Sequence, residues 1–311
     1  DWEQAFTAPE ETDWLIPGFL ACGRGHSVYS APGLGKSLFT LDLAARLSCG
    51  FSPLGHAPIE PIRVLYLDQE NNVESDIVPR LRAMGFDHEQ LSNLKYSSFP
   101  DLMKMDSRGG GNQFSEILDE LEPELVVFDT LARFVEGKEN DNTTWNDFYN
   151  NVGIPLKSRG ITYIRLDHVG KDESNGPRGG SAKMGDVDLV WKMSKVSGED
   201  DRFRLTNEKS RIPIDQKTLT LSRASEELLV HTISQEQTGG IDWSALVASF
   251  EKLQIAMEIV REDYFTLGKL EGQKITWARQ KDRAQNARIT QNTFFQAHRI
   301  VAEELRDPSS L

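Results

Sequence analysis

Residues 30–37, Ser-Ala-Pro-Gly-Leu-Gly-Lys-Ser, have the residue types and spacing of a phosphate-binding loop. They match the pattern G-x-x-x-x-G-K-[ST] except at the first position, where Ser30 stands in place of glycine. Gly33 and Gly35 allow the backbone to turn its amides toward an anion. Lys36 supplies a positive charge for the β- and γ-phosphates, and the Ser37 hydroxyl can hold Mg²⁺. The motif therefore predicts a nucleoside triphosphate ligand. The residues predicted to bind it are Ser30, Ala31, Pro32, Gly33, Leu34, Gly35, Lys36, Ser37 and Leu38.

Carboxylates that follow two apolar runs could complete a site for nucleotide hydrolysis, which needs an acid near the metal and a group that orients water. Asp129 comes directly after the apolar run 125–128 and is expected to hold Mg²⁺ through water. Asp68 and Glu70 follow the apolar run 64–67. The alternatives are a helix-capping Asp-Thr pair at Asp129 and a solvated loop acid at Glu70.

The elements that must position these residues follow from the hydrophobic pattern. Nearly continuous apolar runs at 64–67, 125–128 and 161–164 predict strands covered on both faces. Between the runs, apolar residues recur at helical spacing. This alternation predicts an α/β fold, with a mostly parallel sheet and helices on both of its faces. In parallel sheets, ligands bind beyond the carboxyl ends of the strands, so we expect the motif and the acids to lie together at that end of the sheet.

The character of the sequence changes after residue 187. Four short strand-like segments separated by turn residues predict an antiparallel meander at the edge of the sheet: 188–193, 203–206, 218–221 and 228–232. A polar, glycine-containing stretch then predicts a linker before a mainly helical region that is locally basic, with seven Lys or Arg and two acids in 268–299. The predicted organisation is an ATPase domain at 1–234 with a short lead-in at 1–26, a linker at 235–241 and a C-terminal region at 242–311.

Composition limits the choice of partners and compartment. The chain carries 35 basic and 48 acidic residues, a net charge of −13, which argues against a generally basic surface coating nucleic acid. Two cysteines, Cys22 and Cys49, are too few for a disulfide framework or a zinc site. We expect no membrane contact, because no apolar run is long enough to span one and the chain does not begin as a signal peptide does. The default expectation is a cytoplasmic protein.

The order of these motifs resembles the RecA-like P-loop ATPase core that RecA recombinases share with hexameric replicative helicases. The order is a P-loop, a strand ending in Asp-x-Glu, a Walker B strand, and a strand ending in His168. The resemblance implies that the ligand is Mg²⁺-ATP, that Glu70 activates water, and that His168 senses the γ-phosphate.

Two further segments resemble the DnaB-like helicase branch of that family. Residues 178–188 are similar to the segment that runs from a channel-facing loop into the next strand. Residues 207–213 contain Lys209 and Arg211, which resemble the Lys-x-Arg finger that such rings insert into a neighbouring nucleotide site. On a strand, residues two apart point the same way, so both cations could reach one phosphate. The resemblance implies a homo-oligomer, expected to be a hexamer, with active sites shared between subunits.

The overall likeness is to plasmid RepA-type hexameric helicases, and it covers about residues 13–232. It rests on residues 13–18 before the P-loop, on His168 with Lys171, and on the turn 178–181. Single-stranded DNA is the implied partner, and a replication protein could bind the C-terminal region. The candidate DNA contacts are Lys171, Arg178 and Lys183, with solvated loop charges as the alternative.

Two other functions remain open at this point. One is a recombination or replication-initiation ATPase of the same core without unwinding activity. The other is a nucleotide-switched regulatory ATPase that binds a protein, which the acidic net charge favours.

Overall fold

A nine-stranded sheet organises the larger of two units into which the chain divides, Asp1–Gln237 and Thr238–Leu311. The structure is a computed structural model that describes residues 12–169, 181–225, 228–233, 255–262, 297 and 301. The strands are β1 (Trp14–Ile16), β2 (Leu20–Ala21), β3 (Gly25–Ser30), β4 (Val64–Asp68), β5 (Leu94–Ser98), β6 (Leu125–Asp129), β7 (Thr162–His168), β8 (Leu189–Lys195), β9 (Arg202–Ser210), β10 (Thr218–Ala224) and β11 (Val230–Ile233).

The α-helices alternate with the first strands of the sheet. They are α1 (Lys36–Cys49), α2 (Val78–Ala83), α3 (Arg108–Leu121), α4 (Asn142–Phe148), α5 (Ile154–Ser158) and α6 (Ser181–Gly185). Single π-helical turns lead into α2 and α5, and a 3₁₀ turn at Leu131–Phe134 follows β6. A glycine in the left-handed conformation, Gly50, ends α1, which is the residue type favoured at that position.

The sheet has the strand order β11-β10-β9-β8-β3-β7-β6-β4-β5. Strands β8, β3, β7, β6, β4 and β5 run parallel, and β8 to β11 form an antiparallel meander at one edge. The structure thus confirms the predicted α/β class, the mostly parallel sheet and the antiparallel edge. Strand β5 was not among the predicted strands.

Both faces of the sheet are covered by helices. On one face, Leu65 and Leu67 of β4 belong to a buried cluster with Phe114 of α3 and Trp145 of α4. The intervening Tyr66 points to the other face and is also buried. On that face, Phe39 of α1 packs edge-on to Phe19 and His231, with ring centroids 5.8 and 5.4 Å away. Burial on both faces explains why these strands read as continuous apolar runs.

In the second unit, residues 255–262 form a helix that buries Ala256, Met257, Ile259 and Val260. Residues 297 and 301 are also helical and buried. The predicted linker at 235–241 lies outside the described residues. Across the described ranges, no helix is both long and apolar enough to cross a membrane.

Candidate functional site

The loop between β3 and α1 has the conformation that its two glycines allow. Gly33 and Gly35 both adopt positive φ, 77° and 93°, and Gly35 is the N-cap of α1. Lys36 is the first residue of the helix, so the free amides at the helix N-terminus face the loop. Ser30 is the last residue of β3, in extended backbone, and its hydroxyl donates to the Ala31 carbonyl at 2.8 Å. A side chain is therefore tolerated where the motif has glycine.

Lys36 and His168 meet at the carboxyl edge of the sheet. Ser30 and His168 are register partners at the ends of β3 and β7. The Lys36 ammonium donates to His168 Nδ1 at 3.2 Å. Burial lowers the pKa of His168, and the Lys36 charge lowers it further, so the imidazole is neutral and accepts this hydrogen bond. Burial also lowers the pKa of Lys36, while the Asp129 and Glu70 carboxylates oppose that effect.

Asp129 lies between the P-loop and β4. Its carboxylate accepts a hydrogen bond from Ser37 Oγ at 3.1 Å and another from the Tyr66 hydroxyl at 2.8 Å. Burial, and then the nearby Asp68 carboxylate, raise the pKa of Asp129 to about 6. Burial and the neighbouring carboxylate therefore outweigh the attraction between Asp129 and the nearby Lys36 ammonium.

The oxygens at Ser37 and Asp129 fit Mg²⁺, which prefers oxygen ligands and keeps several waters. Within the described part of the chain, no group of three or more His, Cys, Asp or Glu could hold a metal ion. Because Mg²⁺ is usually bound through one or two carboxylates, an ion here would take its other ligands from nucleotide phosphates and water. Such an ion would relieve the unfavourable charge on Asp129.

Glu70 is positioned by a turn that Asp68 anchors. The buried Asp68 carboxylate accepts from the backbone N–H groups of Glu70 and Asn71, at 2.6 and 3.1 Å, and from the Tyr96 hydroxyl. Glu70 Oε1 accepts from Thr130 Oγ1 at 3.0 Å, one residue after Asp129. The Glu70 side chain is 32% exposed, so solvent can reach it. The structure thus brings Lys36, Ser37, Glu70, Asp129 and His168 to one edge of the sheet.

Lys209 and Arg211 lie at the opposite end of the sheet from the P-loop, where its parallel strands begin. Ser210 pairs with Leu189 at the start of β8, which in turn lies beside His26 near the start of β3. Arg211 lies 3.5 Å from the Asp188 carboxylate, which accepts from the Gly25 amide at 2.9 Å. Because β3 runs from there to the P-loop, the two edges are about 17 Å apart.

The two cations do point the same way, as a two-residue spacing predicts. Lys209 Nζ donates to the carbonyls of Met184, Gly185 and Val187 at 2.6, 3.1 and 2.8 Å. Arg211 donates to Gly185 O at 2.6 Å and is 47% exposed. This pair cannot contact the P-loop of its own chain.

The structure contradicts the prediction that Lys183 contacts DNA. Its side chain is 3% exposed, its ammonium lies 2.6 Å from the Asp167 carboxylate, and it stacks on Trp145 at 4.2 Å from the ring centroid. Lys183 is therefore a structural residue of α6, because its charge is held inside the protein and not offered to solvent. The other two candidates, Lys171 and Arg178, lie outside the described residues.

Two groups at the site were not predicted from sequence. Tyr66 donates to Asp129, and its ring stacks on Tyr96, with centroids 4.8 Å apart. A tyrosine in a buried strand needs a hydrogen-bond partner for its hydroxyl. Tyr66 within the apolar run 64–67 therefore indicated that a polar group lies beside this strand. Arg223 of β10 lies against Gly35 of the P-loop, and nothing in its local sequence indicates that position.

This arrangement can bind a polyphosphate at a helix N-terminus and place a carboxylate near the water that attacks it. A family model described as an AAA domain matches residues 1–174. No curated protein matches the chain significantly.

Proposed function

The chain belongs to the AAA domain family and is a P-loop ATPase, and we propose that it works as a hexameric DNA helicase that translocates on single-stranded DNA. The RecA-like fold and the convergence of the P-loop with Glu70, Asp129 and His168 support this proposal. So does the resemblance of 178–188 and 207–213 to the DnaB-like branch of the RecA-like ATPases.

Each group at the carboxyl edge has a defined part in hydrolysis. Lys36 and the loop amides bind the phosphates, and His168, in contact with Lys36, responds to the presence of the γ-phosphate. Glu70, held by Thr130, orients the attacking water and accepts its proton. Ser37 and Asp129 would hold Mg²⁺, which would supply positive charge against the charge that develops on the transferred phosphoryl group.

The position of Lys209 and Arg211 is the single observation that supports a homo-oligomer with active sites shared between subunits. The pair lies about 17 Å along the sheet from its own P-loop, yet Arg211 is half exposed. A cation that stabilises the transition state must contact the phosphoryl group, so Arg211, the exposed member of the pair, can act only on another copy. The Lys209 ammonium is held by three carbonyls of its own chain and would have to leave them to join it. A contact between opposite edges of identical copies is heterologous, and such contacts form rings when the rotation closes.

A motor of this kind needs few positive charges. Single strands are held in a narrow channel by a few cations from each subunit, which is compatible with a net charge of −13. The same acidity, together with the burial of Lys183, favours a second candidate, a nucleotide-switched ATPase whose partner is a protein.

Rates of ATP hydrolysis with and without single-stranded DNA, and displacement of a strand from a forked duplex, distinguish these functions. The helicase proposal predicts stimulation by DNA and displacement in the parent, and neither in Lys36→Ala. Arg211→Ala should bind ATP and not hydrolyse it. A parent that hydrolyses ATP without DNA stimulation or strand displacement would refute the helicase proposal and favour the second candidate. Parental hydrolysis by Arg211→Ala would refute the trans role of that residue.

A further inference from the structure

We propose that Arg223 binds the α- and β-phosphates of the nucleotide held by the P-loop of the same subunit. The proposal rests on the nucleotide-binding function of that loop and adds to it a residue from the opposite end of the domain sequence. Arg223 would act in cis, unlike Lys209 and Arg211.

The Arg223 side chain lies against the P-loop. Its NH1 nitrogen is 3.1 Å from the position that a Cβ atom would take on Gly35, the N-cap of α1. The guanidinium also stacks on the ring of Phe203, 4.8 Å from its centroid. Phe203 is buried, so this ring is a fixed platform for the cation.

A buried contact with α1 fixes the direction of this side chain. Arg223 of β10 is the register partner of His231 of β11, and directly opposite residues on antiparallel strands point to the same face. His231 donates from its backbone N–H to Asp42 of α1 at 2.8 Å, and its Nδ1 lies 2.9 Å from the same carboxylate oxygen. Asp42 lies about two helical turns after Gly35, roughly 10 Å along α1. The meander is thus held against the helix that begins at the P-loop.

The charge at this point favours an anion between Arg223 and the helix. The N-terminus of α1 carries the positive end of the helix dipole, and its first turn contains no acidic residue. A guanidinium beside that end, close to Lys36, is repelled unless an anion lies nearby. Its ion pair with Asp201 is long, 3.9 Å, and Asp201 is 68% exposed, so that pair compensates the charge weakly.

The position of Arg223 assigns it to the α- and β-phosphates. The backbone of a P-loop surrounds these two phosphates, whereas its lysine reaches the β- and γ-phosphates. The groups that would act on the γ-phosphate, Glu70 and His168, follow β4 and end β7 on the other side of β3. Replacing Arg223 should therefore weaken the binding of ATP and the binding of ADP to the same extent.

Equilibrium binding of ATP, ADP and tripolyphosphate without DNA tests the proposal in Arg223→Gln and Arg223→Lys. A hydrogen bond between charged groups predicts a loss of about ten- to a hundredfold for all three ligands in Arg223→Gln. Arg223→Lys should lose less, because it keeps the charge but not the two-nitrogen fork. Arg204→Gln is the matched control, since Arg204 is an exposed arginine on β9 next to Phe203 and so points to the opposite face. It should bind as the parent does.

Other outcomes would overturn the assignment. Parental affinity of Arg223→Gln for ATP and ADP would show that the residue does not bind phosphate. A loss for ATP alone would place the contact on the γ-phosphate, and a loss for ATP and ADP but not tripolyphosphate would place it on the nucleoside. Arg223→Gln loses its stacking on Phe203, so a small fall in Tm without nucleotide is expected. A purely structural role predicts that fall together with parental affinity for all three ligands. Lys36→Ala tests the loop itself: if it also binds normally, the proposed nucleotide site is wrong.

Discussion

Replacing Asp129 by Asn should stabilise the nucleotide-free protein while it abolishes Mg²⁺-dependent hydrolysis. Asp129 is fully buried, and its pKa rises from the ordinary value of 3.8 to about 6. Its ionised form is therefore less stable in the folded protein than in the unfolded chain. A neutral amide of the same size removes that penalty.

The magnitude follows from the pKa shift. A rise of about two units corresponds to about 3 kcal/mol when the carboxylate is ionised in both states. Asn has a single acceptor oxygen for the Ser37 and Tyr66 hydroxyls, and losing one hydrogen bond costs about 1 kcal/mol. The net gain of about 2 kcal/mol corresponds to a rise in Tm of roughly 4–8 °C for a domain of this size.

The sign of the effect depends on pH. Because the folded-state pKa lies above the unfolded-state value, Asp129 lowers stability progressively as pH rises from about 4 to about 6. Above pH 6 the whole penalty is present, and near pH 4 it disappears. The advantage of Asp129→Asn should thus be large at pH 7.5 and small near pH 4.

Thermal unfolding without Mg²⁺ or nucleotide, recorded at both pH values, measures this difference. Asp147→Asn is the control, because Asp147 is an exposed carboxylate on α4 and should leave Tm unchanged. A variant at position 129 that is no more stable than the parent at pH 7.5 would refute the reasoning, as would an equal gain at both pH values. Hydrolysis in this variant should fall by at least about a hundredfold, since the amide carries no charge for the metal.

Three further substitutions test other parts of the structure. Glu70→Gln should bind ATP normally but lose about 10²- to 10⁴-fold in hydrolysis, measured by phosphate release, because it cannot accept the water proton. Gly110→Ala should cost about 1–3 kcal/mol in urea unfolding, since its Cβ would lie 2.1 Å from the carbonyl oxygen of Lys104; parental stability would contradict this. Lys183→Met should lose about 3 kcal/mol by the same assay, because it leaves the buried Asp167 carboxylate without its nearest cation. A free energy of unfolding equal to or above that of the parent would show that the pair does not stabilise the fold.

The parallel part of the fold could be predicted because its strands are buried on both faces. Strands β4, β6 and β7 appear in the sequence as apolar runs, and an acid or histidine marks the carboxyl end of each. Strand β5, Leu-Lys-Tyr-Ser-Ser, lies at the sheet edge and is only half-buried, so it lacks that pattern.

Side-chain environment could not be predicted in the same way. The sequence neighbours of Lys183 and Arg223 do not distinguish these two basic residues from solvent-exposed ones. The first is buried by Trp145 and Asp167, and the second is brought to the P-loop by strand pairing with β11. Both outcomes depend on residues distant in sequence, which local pattern does not encode.

Hydrolysis by a mixture of two inactive variants tests the shared active site most directly. Lys36→Ala lacks a working P-loop but keeps Arg211, and Arg211→Ala has the reverse defect. In a ring assembled from equal amounts, about a quarter of the interfaces would join an intact P-loop to an intact Arg211. If the active site is shared between subunits, each variant alone should be inactive and the mixture should regain up to that fraction of the parental rate. A mixture as inactive as its components, although the two variants co-assemble, would contradict it.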